Sequence, residues 1–278
     1  MKAIKFTAIA LIALLFSARS MAQTETKDQQ LIVPLSEPGK PYKLDVGLVS
    51  GSIKVTVYEG KDIVIDATGG ERKNKRERET NDNKAGMRRI AGGESLDVTA
   101  HEKGNTVTIG SDIPNKPINL TIKVPQGATS VKLSTVNGGS IVANDLSGAL
   151  EVSNVNGYID LTNISGSVVA NTVNGKVLVT FKSIDPRAAM AFSSLNGNVD
   201  VTFPAGLKAN VKARSDRGDV FSDFDMVTDK TQSKANKTAK DGMYRLSIED
   251  WIYGKIDGGG PEMMLKTMNG NIYIRKAK

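Results

Sequence analysis

The sequence predicts an all-β protein, a β-solenoid of the parallel β-helix kind, built from stacked coils of 18–22 residues with about two strands per coil. Three observations predict it. An apolar-Asn-Gly core recurs along the chain, apolar residues alternate with period two around each core, and 27 glycines accompany only 5% aromatics.

The recurring cores are Val136-Asn137-Gly138, Val155-Asn156-Gly157, Val173-Asn174-Gly175, Leu195-Asn196-Gly197 and Met268-Asn269-Gly270, the first four at spacings of 19, 18 and 22. With each Asn set to zero, positions minus six, minus four, minus one, plus three and plus five are apolar. They are Leu150, Val152, Val155, Ile159 and Leu161 in the second copy, and Met263, Leu265, Met268, Ile272 and Ile274 in the last. Ser50-Gly51 and Arg217-Gly218 fit the template without the Asn. Half-way corners at Ser147-Gly148 and Ser165-Gly166 fit too, which makes the elementary unit a strand and a corner of nine or ten residues.

Alternation of this kind means a strand with one buried face. Asn-Gly between strands ordinarily signals a two-residue hairpin. A hairpin would pair Val155 with Tyr158, Val173 with Lys176, Leu195 with Asn198 and Met268 with Asn271, each time an apolar residue against a largely polar one. A three-residue corner removes the mismatch. Coils then stack Val over Val and Asn over Asn, right-handed as parallel crossovers are, with the minus-one residues expected in the interior. The Asn and Gly at 137, 138, 156, 157, 174, 175, 196, 197, 269 and 270 (Asn137, Gly138, Asn156, Gly157, Asn174, Gly175, Asn196, Gly197, Asn269 and Gly270) are read as structural corners, because Asn tolerates the left-handed region and bonds its own turn.

Residues 1–22 read as a secretory signal peptide: Lys2 and Lys5, an uncharged stretch from Phe6 to Ala18, then Ser20-Met21-Ala22. The stretch is shorter than the ~20 apolar residues of a membrane span. Export is therefore expected, to the periplasm, the outer surface or the medium, with no membrane span in the mature chain. With no cysteine there is neither a disulfide nor a lipidated-cysteine anchor. Residues 23–43, with Pro34, Pro38 and Pro41, read as a leader and N-terminal cap. Residues 44–278 read as one solenoid domain whose C-terminal edge is blunted by Arg275, Lys276 and Lys278. Polar insertions are expected at 69–93 and 225–242.

The formal net charge of +7 falls to +4 once Lys2, Lys5 and Arg19 depart with the signal peptide. All of that +4 lies between Glu71 and Arg89, where eight Lys or Arg face four Asp or Glu. No global affinity for nucleic acid follows. The basic segment could touch acidic glycans or membrane phosphates, but its interspersed acids and lack of aromatics fit a solvated loop.

The Val-Asn-Gly repeats, together with Gly254-Lys255-Ile256-Asp257-Gly258-Gly259-Gly260-Pro261 and Thr267-Met268-Asn269-Gly270-Asn271-Ile272, resemble a bacterial family of domains of unknown function labelled putative adhesin. The resemblance covers roughly residues 44 to 275. It implies a solenoid-like domain displayed in the cell envelope, in many members near envelope-stress regulatory systems, and brings no catalytic or ligand residues with it.

Chemistry-bearing residues are sparse. His101 is the sole histidine, so with no cysteine a zinc site and a Cys-His or Ser-His-Asp nucleophile fail on inventory. Asp219, Asp223 and Asp225 could serve a glycan hydrolase or lyase if they lined a cleft; as alternate residues before a loop they read better as a solvated face. Arg217-Gly218-Asp219 spells an integrin-binding tripeptide, but it occupies a repeat corner where any acid could follow. The sequence thus points to a non-enzymatic envelope adhesin or interaction module without cofactor or metal, whose partner is a protein or glycan of the cell surface. A carbohydrate-active β-helix enzyme and an envelope-stress accessory protein that binds another protein are the alternatives.

Overall fold

The computed structural model describes residues 30–70, 96–111, 113, 116–229, 234–240, 243–249 and 251–278. The signal peptide and the basic segment 71–89 lie outside the described residues. Every regular element among the described residues is a strand. β1 (Gln30–Val33), β2 (Tyr42–Ser50), β3 (Ile53–Val57) and β4 (Ile63–Gly69) come first. β5 (Thr99–Lys103), β6 (Thr106–Gly110), β7 (Ile118–Val124), β8 (Ala128–Asn137), β9 (Ile141–Asn144), β10 (Ser147–Asn156) and β11 (Ile159–Asn174) follow. β12 (Val177–Ile184), β13 (Met190–Asn196), β14 (Val199–Phe203), β15 (Ala209–Ser215), β16 (Val220–Ser222) and β17 (Met226–Asp229) come next. β18 (Lys234–Lys240), β19 (Met243–Glu249), β20 (Ile252–Ile256), β21 (Glu262–Asn269) and β22 (Ile272–Lys276) complete the chain.

The strands form a solenoid-like stack with two parallel faces. One face runs β6, β2, β8, β10, the C-terminal half of β11, β13, β21, β15. The other runs β7, β3, β9, the N-terminal half of β11, β12, β14, β22, β16. Partner offsets follow the repeat: Leu150 pairs with Val131 nineteen residues before it and Val168 eighteen after, and Ala170 with Phe192 twenty-two on. Between the faces lies one continuous core of columns such as Leu44, Val131, Leu150, Val168 on one wall and Ile53, Ile141, Ile159, Val177, Val199 on the other. Where the spacing widens to 22, Phe181, Phe192 and Phe203 fill the extra room, with ring centroids 5.3 to 6.3 Å apart.

The tiers are not stacked in chain order. The four central tiers run consecutively, but β2 and β3 lie inside the later β6 and β7, and the last strands β21 and β22 insert between β13/β14 and the earlier β15/β16. The expectation that each coil stacks on the one before it fails at both ends. Arg275 and Lys276 accordingly do not blunt an edge. β22 is interior, Arg275 forks onto Asp200 at 2.7 and 2.9 Å, and that carboxylate raises the guanidinium pKa. The true ends are covered by antiparallel strands: β4 on β7, β1 on β4 and β5 on β6 at one end, β20 on β15 and β17 on β20 at the other. Antiparallel cover at the ends satisfies edge groups that would otherwise template aggregation. The segment 225–242 thus holds strands β17 and β18 rather than loop alone, β18 pairing with β19.

Residues 30–41 are pinned at the first end. Ser36 donates its hydroxyl to Glu102 at 2.7 Å, and that bond lowers the Glu102 pKa. The Asn105 carboxamide both accepts from Glu37 N and donates to Glu37 O. Tyr42, fully buried at the start of β2, donates to Pro125 O at 2.6 Å, and burial pushes its phenol pKa up.

One face assignment is corrected. The minus-one residues point outward: Val136, Val173, Leu195 and Met268 are each about two-fifths exposed and Val155 is half-buried. Strict alternation, continued through the corner, buries minus six, minus four and minus two instead. Val155→Lys should therefore melt within a few degrees of the parent, whereas Val152→Lys places an unpaired ammonium in the core and should abolish the cooperative transition followed by circular dichroism. Similar melting of the two variants would refute the assignment.

Candidate interaction face

Position minus two is polar and buried in tier after tier: Thr135, Asn154, Thr172, Ser194 and Thr267. Each side chain donates across to a corner carbonyl of the neighbouring tier. Thr135 reaches Gly51 O at 2.9 Å, Asn154 reaches Gly139 O at 2.9 Å and Thr172 reaches Gly157 O at 2.9 Å. Ser194 reaches Gly175 O, Thr267 reaches Gly197 O, and the less buried Ser215 reaches Gly270 O, all within 2.7 to 2.8 Å. A parallel ladder turning a corner leaves a carbonyl without its usual N–H partner, and a buried orphan costs about 1–3 kcal/mol. The hydroxyls of this column remove that cost; Asn154 meets its carbonyl through Nδ2 but keeps its own Oδ1 buried without a partner. Sequence reasoning passed over these residues, although a Thr, Asn or Ser two before each corner on an otherwise apolar alternation was the available signal.

The corner glycines are required by the same carbonyls. A Cβ on Gly157 would lie 1.8 Å from Gly139 O, on Gly175 2.2 Å from Gly157 O, on Gly197 2.2 Å from Gly175 O and on Gly270 2.3 Å from Gly197 O. The copy at Asn137 carries one residue more. There Gly139 makes the close approach, and Gly138, at φ +71°, supplies the left-handed residue.

The zero-position asparagines have a different role from the one expected. None of them has positive φ among the described residues, and none bonds its own turn. They form an exposed amide ladder along the stack: Asn174 Nδ2 donates to Asn156 Oδ1 at 2.8 Å, Asn196 Nδ2 to Asn174 Oδ1 at 2.7 Å and Asn269 Nδ2 to Asn196 Oδ1 at 2.6 Å. Asn156 Nδ2 continues it to Val136 O at 3.3 Å. Such ladders add a side-chain bond per tier where identical residues stack in register.

Beside this ladder runs the minus-one row, Val49, Val136, Val155, Val173, Leu195 and Met268, as an outward apolar ridge across six tiers. Next to the ridge lies a row of smaller polar residues, Ser134, Ser153, Asn171 and Ser193, with Ser153 donating to Asn171 Oδ1 at 3.0 Å. The repeat thus presents one flat outer surface in ordered rows: amide ladder, apolar ridge, hydroxyl track.

The other singled-out residues are scattered. His101 is exposed on β5, opposite Thr108 of β6. Asp219, Asp223 and Asp225 are all exposed, and β16 spans only Val220–Ser222, so they do not share one regular strand face. Asp219 N donates to Asn271 Oδ1, and Asp223 Oδ2 accepts from Lys276 N at 3.3 Å. Arg217, Gly218 and Asp219 are exposed at the outermost tier, where Gly218 packs against Gly270 O as the other corner glycines do. No group of three metal-ligating side chains occurs among the described residues. No helix among them is long and apolar enough to cross a membrane.

Two solved structures are similar to this chain. One, from Clostridium sporogenes, is described as a putative cell adhesion protein; at 15% identity the match covers 89% of this chain and 99% of that one, with a TM-score of 0.47. The other, from Bacteroides fragilis, is described as a putative adhesin; at 11% identity the match covers 89% and 96%, with a TM-score of 0.26. No curated protein matches. Residues 20–275 match the family described as Toastrack DUF4097, and the chain belongs to that family.

Proposed function

We propose that this chain is an exported, non-enzymatic β-repeat module of the cell envelope that acts as an adhesin or interaction scaffold, its repeat unit a coil of 18–22 residues with two strands. The observation that carries the reading is the outer surface of the first face, where an apolar ridge over six tiers runs beside an amide ladder and a hydroxyl track of four tiers each. An exposed apolar row of this extent is a feature of surfaces that meet partners. The exposed carboxylates at Asp219, Asp223 and Asp225, spread around a three-residue strand, support a solvated role over an acid and base facing each other across a cleft.

Two measurements test this. Val173→Glu with Leu195→Glu changes only the outward ridge, so the fold should persist while sedimentation of the labelled mature chain with washed envelope fractions weakens at least tenfold. Undiminished binding would remove the ridge from the function. The mature chain should also release no reducing ends or unsaturated products from a panel of acidic and neutral glycans. Cleavage that disappears with Asp219→Asn, Asp223→Asn and Asp225→Asn together would make the protein a carbohydrate-active enzyme.

A further inference from the structure

The hydroxyl track ends, at the C-terminal cap, in a cluster of cations and aromatic rings on β20, β15 and β21. In register across these strands stand Lys255, Asn210 and Glu262, then Tyr253, Lys212 and Met264, and next Arg214 opposite Lys266. Trp251 immediately precedes β20. Lys212 Nζ lies 4.6 Å from the Trp251 ring centroid and 5.9 Å from that of Tyr253, and the Arg214 guanidinium carbon 5.8 Å from Trp251. Arg214 also donates to Asp216 at 2.6 Å. Lys266 pairs with Ser193, so the cationic end and the small polar row form one continuous track.

Two features point to an anionic ligand. Among the described side chains, four cations, Lys212, Arg214, Lys255 and Lys266, stand beside the carboxylates of Asp216 and Glu262, in line with the row of Ser134, Ser153, Asn171 and Ser193. The rings also hold the Lys212 ammonium in place, so its side-chain entropy is already spent before a ligand arrives. A nucleic acid would need an open ring face for its bases to stack on. Here the Trp251 face is occupied by Lys212. A linear glycan needs no such stacking. Its C–H faces would pack on Met264 and the ring edges, its hydroxyls would meet the serine and asparagine row, and its repeated acidic groups would meet the cations.

We infer that this end of the first face binds an acidic polysaccharide, a polymer bearing carboxylate or sulfate groups along its length, across Lys212, Arg214, Lys255 and Lys266. The inference deepens the interaction-module reading and rests on it. Trp251 is the only tryptophan in the chain, so its emission reports on this site. The full mature chain is titrated with polygalacturonate, with dextran sulfate and with unsubstituted dextran. Acidic polymers should change Trp251 emission saturably and less so as salt rises, because screening weakens exposed ion pairs, while dextran does nothing. Response to polygalacturonate alone assigns the site to uronates, and response to both acidic polymers assigns it to anionic glycans generally.

Anisotropy of labelled polymer then compares variants. Lys212→Ala with Lys266→Ala should weaken binding at least tenfold, whereas Lys54→Ala, on the opposite face, should leave it unchanged. Equal affinity for dextran, absence of binding, a response to anionic phospholipid vesicles in place of glycans, or full binding by the double variant overturns the inference. If acidic polymers fail while envelope binding remains sensitive to Val173→Glu and Leu195→Glu, the module reading stands without the glycan site. If both fail, so does the module reading.

Discussion

Gly175→Val should lower the melting temperature by roughly 10 °C, which corresponds to about 3 kcal/mol, the upper part of the overpacking range, for a protein of this size. The new Cβ would lie 2.2 Å from Gly157 O and 2.5 Å from its carbonyl carbon. Both are backbone atoms, so no side chain can swing away and the two tiers must part. Gly157 O is also the acceptor of the Thr172 hydroxyl, so the same displacement lengthens a buried hydrogen bond. Gly206→Ala is the control. Nothing lies within 4 Å of its Cβ direction and its φ is not positive, so its melting should match the parent. If the two variants melted together, close approach would not be the reason for the corner glycines.

Removal of residues 262–278 should have the larger effect and abolish cooperative folding. In a stack that followed chain order, losing the last coil would shave one tier from the end. Here it takes out an interior tier, since β21 lies between β13 and β15 and β22 between β14 and β16. Met263, Leu265, Ile272 and Ile274 leave the core, each contributing about 1.5–3 kcal/mol, against a total stability of about 5–15 kcal/mol for a typical protein. Thr267, the hydroxyl donor to Gly197 O, leaves with them. Circular dichroism melting and hydrogen exchange of the truncated chain decide the matter. A sharp transition near the parental temperature, with protection retained in β15 and β16, would show that the outer tier does not depend on the inserted one. The insertion also delays closure of the stack until the final residues are available, and its long-range pairings predict slow folding.

Much of the strand architecture could be read in the chain because a strand records its buried face in a period of two. Leu150, Val152, Ile159 and Leu161, and their counterparts in the other copies, are buried where alternation put them. The Asn-Gly recurrence likewise located corners, since stacked parallel strands repeat their turns in register. The misreading at minus one has a specific origin. Thr135, Asn154, Thr172, Ser194 and Thr267 are polar, so alternation appeared to break and the apolar neighbour was placed inside. Only the structure shows that each polar group reaches a corner carbonyl in the next tier.

What the sequence determined by itself is therefore local: strands, corners, the inward residues along most of each strand, and the stacking of like on like. Tier order was decided only in the tertiary structure. All copies of the template present nearly the same apolar columns and the same ladder groups, so periodicity makes neighbours of any two of them and does not say which. The difference appears at the ends, where β4 and β5 take antiparallel places on β7 and β6, outside β3 and β2, and β20 takes one on β15, outside β21. The cation and ring cluster at the C-terminal cap has the same origin. Lys212, Trp251 and Lys266 belong to separate stretches of sequence, and only the out-of-order pairing of β20, β15 and β21 brings them to one face.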